Sequence, residues 1–143
     1  MTTRVVADAS VVISMLTDAT HRGERATDAL RGVALVAPAL LPFEVVQTIR
    51  RHVLDGRLPE RDAVRCIDEV GNLAIELIPF AVIAERAWEL RENLTFSDAS
   101  YVALAEALEI RPITEDARMA GAPGLRCEVV VPAWAVVDPR IRW

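Results

Sequence analysis

Short apolar runs alternate along the chain with longer segments in which apolar residues recur at helical spacing. The short runs predict five strands, each followed directly by a proline or an acid: 5–7, 35–37, 74–78, 112–114 and 129–131. The longer segments predict helices at 11–16, 21–30, 42–55, 59–70, 81–93 and 95–108. Strands that alternate with helices indicate an α/β sandwich around a mostly parallel sheet.

The helix predicted at 95–108 is apolar on nearly every face, yet Asp98 lies in its first turn beside Tyr101. Moving an ionised carboxylate out of water costs several kcal/mol, and a helix N-terminus returns only about 0.3–1 kcal/mol. One interpretation is a capping box between Thr95 and Asp98. The other is that a cation or a solvated cleft lies beside Asp98.

Three further acids lie at the ends of predicted elements. Asp8 and Asp116 follow strands, and Glu44 begins a helix. Each has an ordinary explanation, since Asp8 could start a helix, Glu44 lies on a polar helical face, and Asp116 could be a turn residue. In open parallel sheets, however, functional sites gather at the carboxyl ends of strands.

If these acids converge, their charges restrict the chemistry. Two carboxylates about 4 Å apart repel by roughly 4 kcal/mol at an effective dielectric constant near 20, so a cluster must take up protons or bind cations. Oxygen ligands without histidine or cysteine suit Mg²⁺ or Mn²⁺. Such an ion can acidify a bound water that attacks phosphorus, which is the chemistry of a metal-dependent phosphodiesterase.

The acids stand in four motifs that together resemble the PIN-domain ribonucleases, and in particular the VapC toxins of bacterial and archaeal toxin–antitoxin pairs. The motifs are Asp8-Ala9-Ser10, Pro42-Phe43-Glu44-Val45-Val46, residues 97–105 around Asp98, and Thr114-Glu115-Asp116-Ala117-Arg118. The resemblance covers essentially the whole chain as one PIN domain, 1–143. It implies a PIN-like (Rossmann-like) three-layer fold, Mg²⁺- or Mn²⁺-dependent endonucleolytic cleavage of RNA, homodimers, and inhibition by a small VapB-type antitoxin.

The resemblance also implies roles for individual residues. The catalytic and metal-binding acids would be Asp8, Glu44, Asp98 and Asp116. Asp8 and Asp98 would be the direct metal ligands, supported through hydrogen bonds by Ser10 and Thr114. Glu115 is an additional acid next to Asp116, and Asp116 is preferred because it matches the Thr-x-Asp spacing of the family.

The formal net charge is −5, which argues against a general nucleic-acid coat protein. Every basic residue other than histidine is an arginine. Arg50 and Arg51 are the best candidates for contacts with RNA, because Arg51 shares the helical face of Glu44. The alternative is a set of solvated arginines paired with acids at helical spacing. Three tryptophans are expected to pack rather than stack on RNA, with Trp143 the most exposed.

The sequence makes other classes less plausible. A phospho-acceptor domain normally uses a lysine near the phosphoryl group and an Asp-x-Asp motif, and this chain has no lysine and a serine at position 10. A PIN nuclease of RNA processing that is not a toxin, and a PIN-like module that binds without catalysis, remain alternatives. No run is long and apolar enough for a signal peptide or a membrane span, so a cytoplasmic protein with reduced cysteines is expected.

Overall fold

The computed structural model describes residues 2–135 of the chain. Its strands are β1 (Arg4–Ala7), β2 (Ala34–Pro38), β3 (Ile75–Ile78) and β4 (Pro112–Ile113). Its helices are α1 (Ala9–Thr17), α2 (His21–Leu30), α3 (Leu41–Leu54), α4 (Glu60–Asn72), α5 (Phe80–Glu89), α6 (Phe96–Leu108) and α7 (Ala117–Ala120), followed by a 3₁₀ turn at Ala133–Ala135. The strands pair in parallel, and helices flank the sheet, which confirms the predicted α/β architecture.

In the strand order β3-β2-β1-β4, β1 lies between β2 and β4. The order therefore reverses between β1 and β4, the point at which such sheets place their functional sites. Ala7 is paired with Ile113, and the amide of Asp8 donates to the Ile113 carbonyl at 2.9 Å. This register brings the residues that follow β1 next to those that follow β4.

The prediction of a fifth strand at 129–131 is wrong. Val130 forms only an isolated parallel bridge to Ile113. Its amide donates to the Pro112 carbonyl at 2.9 Å, and its carbonyl accepts from the Thr114 amide at 3.0 Å. β4 has two residues, one of them a proline without an N–H, and Pro132 follows the run, so no longer ladder can form. The tail that includes Trp143 lies outside the described residues.

Helix α6 is buried around its whole circumference, as its sequence predicts, with every residue from Ala99 to Ala105 inside the core. It packs on α5 and on the sheet. Helices α1 and α2 pack closely where Gly23 meets the end of α1, since a Cβ at this position would lie 1.8 Å from the Asp18 carbonyl oxygen. Within residues 2–135, no helix has the length and apolar character needed to cross a membrane.

Candidate active site

The four acids singled out in the sequence come together around one pocket of about 710 Å³. Each stands at the start of a different helix: Asp8 at the N-cap of α1, Glu44 in the first turn of α3, Asp98 in the first turn of α6, and Asp116 at the N-cap of α7. Residues from four helix N-termini therefore line the same pocket, and the partial positive charge of a helix N-terminus favours negative groups beside it.

Asp8 is the most buried of the four, with 6% of its surface exposed. Its Oδ2 atom accepts hydrogen bonds from Ser10 Oγ at 2.6 Å and from Thr114 Oγ1 at 2.8 Å. The two hydroxyls in turn accept the amides of Glu115 and Asp116, each at 3.0 Å. Burial raises the pKa of Asp8 despite these hydrogen bonds. The loop after β4 thus fixes the Asp8 carboxylate directly.

Glu44 lies on the polar face of α3, and that face is directed at the pocket rather than at bulk water. Tyr101, fully buried in α6, donates its hydroxyl to Glu44 Oε1 at 2.7 Å. Burial raises the pKa of Glu44 to about 7, and the charges of Asp8 and Asp98 act in the same direction.

Thr95 caps α6, its Oγ1 accepting the Asp98 amide at 3.2 Å. Among the described residues no hydrogen bond runs back from the Thr95 amide to the Asp98 carboxylate, so only half of the expected capping box is present. The Asp98 side chain nevertheless lines the pocket. Burial raises the pKa of Asp98, and the neighbouring charge of Asp8 raises it further.

The neighbours Glu115 and Asp116 have different surroundings. Asp116 is partly exposed and forms an ion pair with Arg118 at 3.0 Å, and the hydrogen bond from that guanidinium lowers the pKa of Asp116. Glu115 also lines the pocket, but its carboxylate is directed toward α1 and α2, where it pairs with Arg22 at 2.9 Å and accepts Ser14 Oγ at 2.7 Å.

The basic residues divide along similar lines. Arg51 lines the pocket and donates to Thr48 at 3.1 Å, whereas Arg50 is exposed and does not line it. His52, Arg22 and Arg118 also line the pocket. In the sequence His52 stands beside Arg51, and Arg118 ends the fourth motif without being given a role, whereas nothing local marks Arg22.

Trp88 differs from the packing expected of it. It is exposed on α5, with the Arg91 guanidinium 4.8 Å from its ring centroid. Trp134 is half-buried, and its Nε1 donates to Glu115 at 2.9 Å.

The acids fit a hard cation by their donor chemistry. Asp8, Glu44 and Asp98 form no ion pair with any residue in the described range 2–135. Within that range, no three acidic, histidine or cysteine side chains lie close enough together to hold a metal ion jointly. Mg²⁺ is commonly bound by only one or two carboxylates and keeps several waters. An oxygen-only set of acids in which burial raises the pKa of Asp8, Glu44 and Asp98 suits such an ion.

Comparison with known proteins agrees with this fold and shows the family. Residues 5–125 match the PIN domain family. The chain is 44% identical to ribonuclease VapC1 of Mycobacterium tuberculosis over 94 residues, 65% of this chain and 71% of that protein. It is 34% identical to ribonuclease VapC9 of the same organism over 127 residues, 89% and 97% of the two chains. The crystal structure of VapBC2 from Rickettsia felis bound to a promoter DNA fragment superposes with a TM-score of 0.61 at 12% identity, covering 88% of this chain and 98% of that one. The chain belongs to the PIN-domain family, as one of its VapC ribonucleases.

Proposed function

We propose that this VapC ribonuclease is a Mg²⁺- or Mn²⁺-dependent endoribonuclease that acts as the toxin of a type II toxin–antitoxin pair. The observation that carries the proposal is that acids from four separate helix N-termini line one pocket. Burial and the neighbouring acids raise the pKa of Glu44 and of Asp98. A divalent cation would relieve this repulsion.

In this proposal Asp8 and Asp98 are the direct metal ligands, and Glu44 and Asp116 complete the acidic set. When bound, the ion would supply a water of lowered pKa and positive charge for the departing oxygen of the phosphodiester.

The remaining side chains orient the acids before any substrate arrives. Ser10 and Thr114 hold Asp8 Oδ2, so that carboxylate has one preferred orientation. Tyr101 does the same for Glu44 through Oε1. Fixing ligands through hydrogen bonds reduces the reorganisation that binding and reaction require.

Phosphate contacts of the RNA would be made by the arginines that line the pocket, Arg51 and Arg118. His52 also lines the pocket, but burial lowers its pKa and disfavours its charged form. The whole chain carries a net charge of −5. Affinity for RNA would therefore depend on a few local cations rather than on the overall charge.

We further propose a VapB-type antitoxin as partner, together with a homodimer of the toxin, in the cytoplasm. The similarity to the Rickettsia felis VapBC2 structure supports the antitoxin. Large apolar side chains exposed on two helices, Phe43 on α3 and Phe80 and Trp88 on α5, provide surface for protein contacts.

The central test is cleavage of a mixed RNA pool by the purified protein with Mg²⁺, with Mn²⁺ and with excess EDTA. We expect cleavage only with a divalent ion, and sequencing of the fragment ends would identify the RNA and the position that is cut. Cleavage that continues unchanged in EDTA contradicts the metal mechanism.

A second experiment separates a toxin from a nuclease of RNA processing. We expect induced expression to arrest growth, and co-expression of the small protein encoded beside it to restore growth. Normal growth at high levels of active protein would contradict the toxin assignment.

A further inference from the structure

Glu115 has a more elaborate environment than an additional acid beside Asp116 would need. Its side chain is 5% exposed, and that of its partner Arg22 is 14% exposed. Arg22 donates to both carboxylate oxygens, through Nη2 at 2.9 Å and Nε at 3.4 Å. Ser14 from α1 and Trp134 from the C-terminal turn donate to the same carboxylate. Three separate parts of the chain therefore meet at one side chain.

The backbone around Glu115 is linked to the predicted metal ligands. Its amide donates to Ser10 Oγ, and Ser10 donates to Asp8. The preceding Thr114 donates to Asp8 and accepts the amide of the following Asp116. A shift of the Glu115 backbone would therefore alter both hydroxyls that hold the Asp8 carboxylate.

The energetics do not favour stability as the purpose of this ion pair. Two charges removed from water lose several kcal/mol of solvation each, and apolar residues of similar volume often stabilise a protein as well or better. What such a pair does supply is direction, because a guanidinium and a carboxylate meet in a defined planar geometry.

We propose that Glu115 is a positioning residue of the metal site, anchored by Arg22, Ser14 and Trp134, that sets the loop carrying Thr114 and Asp116. The inference rests on the proposed function. Glu115 is not itself a metal ligand in this assignment, because Arg22 engages both of its carboxylate oxygens.

The experiment compares Glu115→Gln and the double variant Arg22→Met/Glu115→Leu with the native protein. Three quantities are measured: the Mn²⁺ dissociation constant by calorimetry, the unfolding temperature, and, without metal, hydrogen exchange at the amides of residues 115 and 116. We expect both variants to bind Mn²⁺ roughly 10- to 100-fold more weakly and to exchange those amides faster. The double variant should recover the unfolding temperature without recovering the affinity for Mn²⁺.

The chain offers a matched control in Glu106, a buried glutamate paired with Arg86 at 2.6 Å outside the pocket. Glu106→Gln should lower the unfolding temperature while the affinity for Mn²⁺ and the exchange at 115 and 116 stay unchanged.

Native affinity for Mn²⁺ and native amide exchange in Glu115→Gln overturn the inference, as does a double variant whose affinity recovers together with its stability. If the native protein itself binds no Mn²⁺, the proposed function fails instead. The exchange of the two amides in metal-free protein still decides whether Glu115 positions the loop.

Discussion

Glu44 and Glu106 show how differently two buried glutamates are treated within one fold. The Glu106 side chain is 8% exposed and meets the Arg86 guanidinium at 2.6 Å. Burial acts to raise the pKa of Glu106, but hydrogen bonds from Arg86 and from the Arg126 amide outweigh it and hold the pKa below its usual range. Burial raises the pKa of Glu44 to about 7, where Asp8 and Asp98 add repulsion.

This difference distinguishes buried acids that are paired within the fold from buried acids that line the pocket. At Glu106 an arginine offsets the cost of burial within the chain. At Glu44 the nearest charged groups have the same sign, so the folded protein retains an unfavourable electrostatic energy at neutral pH. In the proposed function a bound cation would lower that energy, so metal binding would stabilise the protein.

The largest effect is expected when Asp98→Asn is compared with Glu106→Gln. Loss of a direct ligand should reduce RNA cleavage about 1,000-fold, equivalent to roughly 4 kcal/mol of transition-state stabilisation. Glu106→Gln should leave cleavage near the native rate. Initial rates at saturating Mn²⁺, with circular dichroism to check folding, test both. A loss below 10-fold in Asp98→Asn would count against its role.

The two glutamates should also differ in their pH dependence without metal. The folded pKa of Glu44 lies above its ordinary value of 4.5, so its favourable contribution is complete below pH 4.5 and is lost as the pH rises toward about 7. Glu44→Gln should therefore stabilise the metal-free protein at pH 8, by about 1–2 kcal/mol after allowance for solvent screening. Urea unfolding in EDTA at pH 5 and pH 8 measures this.

The effect of Glu106→Gln on the free energy of unfolding should have the opposite sign. The lowered pKa of Glu106 means that its contribution is present above its ordinary pKa and disappears as the pH falls through the folded value. Equal pH slopes for the two variants would refute the distinction between paired and unpaired acids.

A smaller effect is expected for the arginines of the pocket. Arg51→Ala should raise the KM for RNA about 3- to 10-fold and reduce its salt dependence, because one phosphate contact is lost. Arg50→Ala should change the KM less, since Arg50 does not line the pocket. Cleavage kinetics at two salt concentrations compare the neighbours, and equal effects would contradict the assignment.

The smallest effect is expected for Arg118, which pairs with Asp116 but is almost fully exposed. Arg118→Ala removes a cation that competes for Asp116, so Mn²⁺ should bind about 2- to 3-fold more tightly at low salt. Screening should remove the difference in 1 M salt. Calorimetry at both ionic strengths tests this, and weaker binding in the variant would contradict it.

Much of the fold was predictable because its signals are local. Prolines and acids mark the ends of the strands, and the apolar character of 95–108 correctly indicated a helix buried on all sides. The unusual position of Asp98 in that helix was visible for the same reason. The 129–131 run misled because three valines suit a strand, yet the two-residue β4 beside them offers little to pair with.

The rest depends on contacts between residues far apart in the chain. Glu115 and Asp116 are adjacent carboxylates in the sequence. Their surroundings differ because Arg22, 93 positions away, engages Glu115 together with Ser14 and Trp134. The sequence alone could not distinguish Glu44 from a solvated residue, because the distinguishing contact is its hydrogen bond from Tyr101 of α6. Local patterns do not encode such pairings, although they do place each residue on its element.

The close packing at Gly23 has a consequence for the neighbouring residue. A methyl group there would collide with the carbonyl of Asp18, and α2 would have to swing away from α1. Arg22 stands next in the chain and would be carried along, out of reach of Glu115. Neither Gly23 nor Asp18 lines the pocket, yet their close contact sets the position of the helix that carries Arg22.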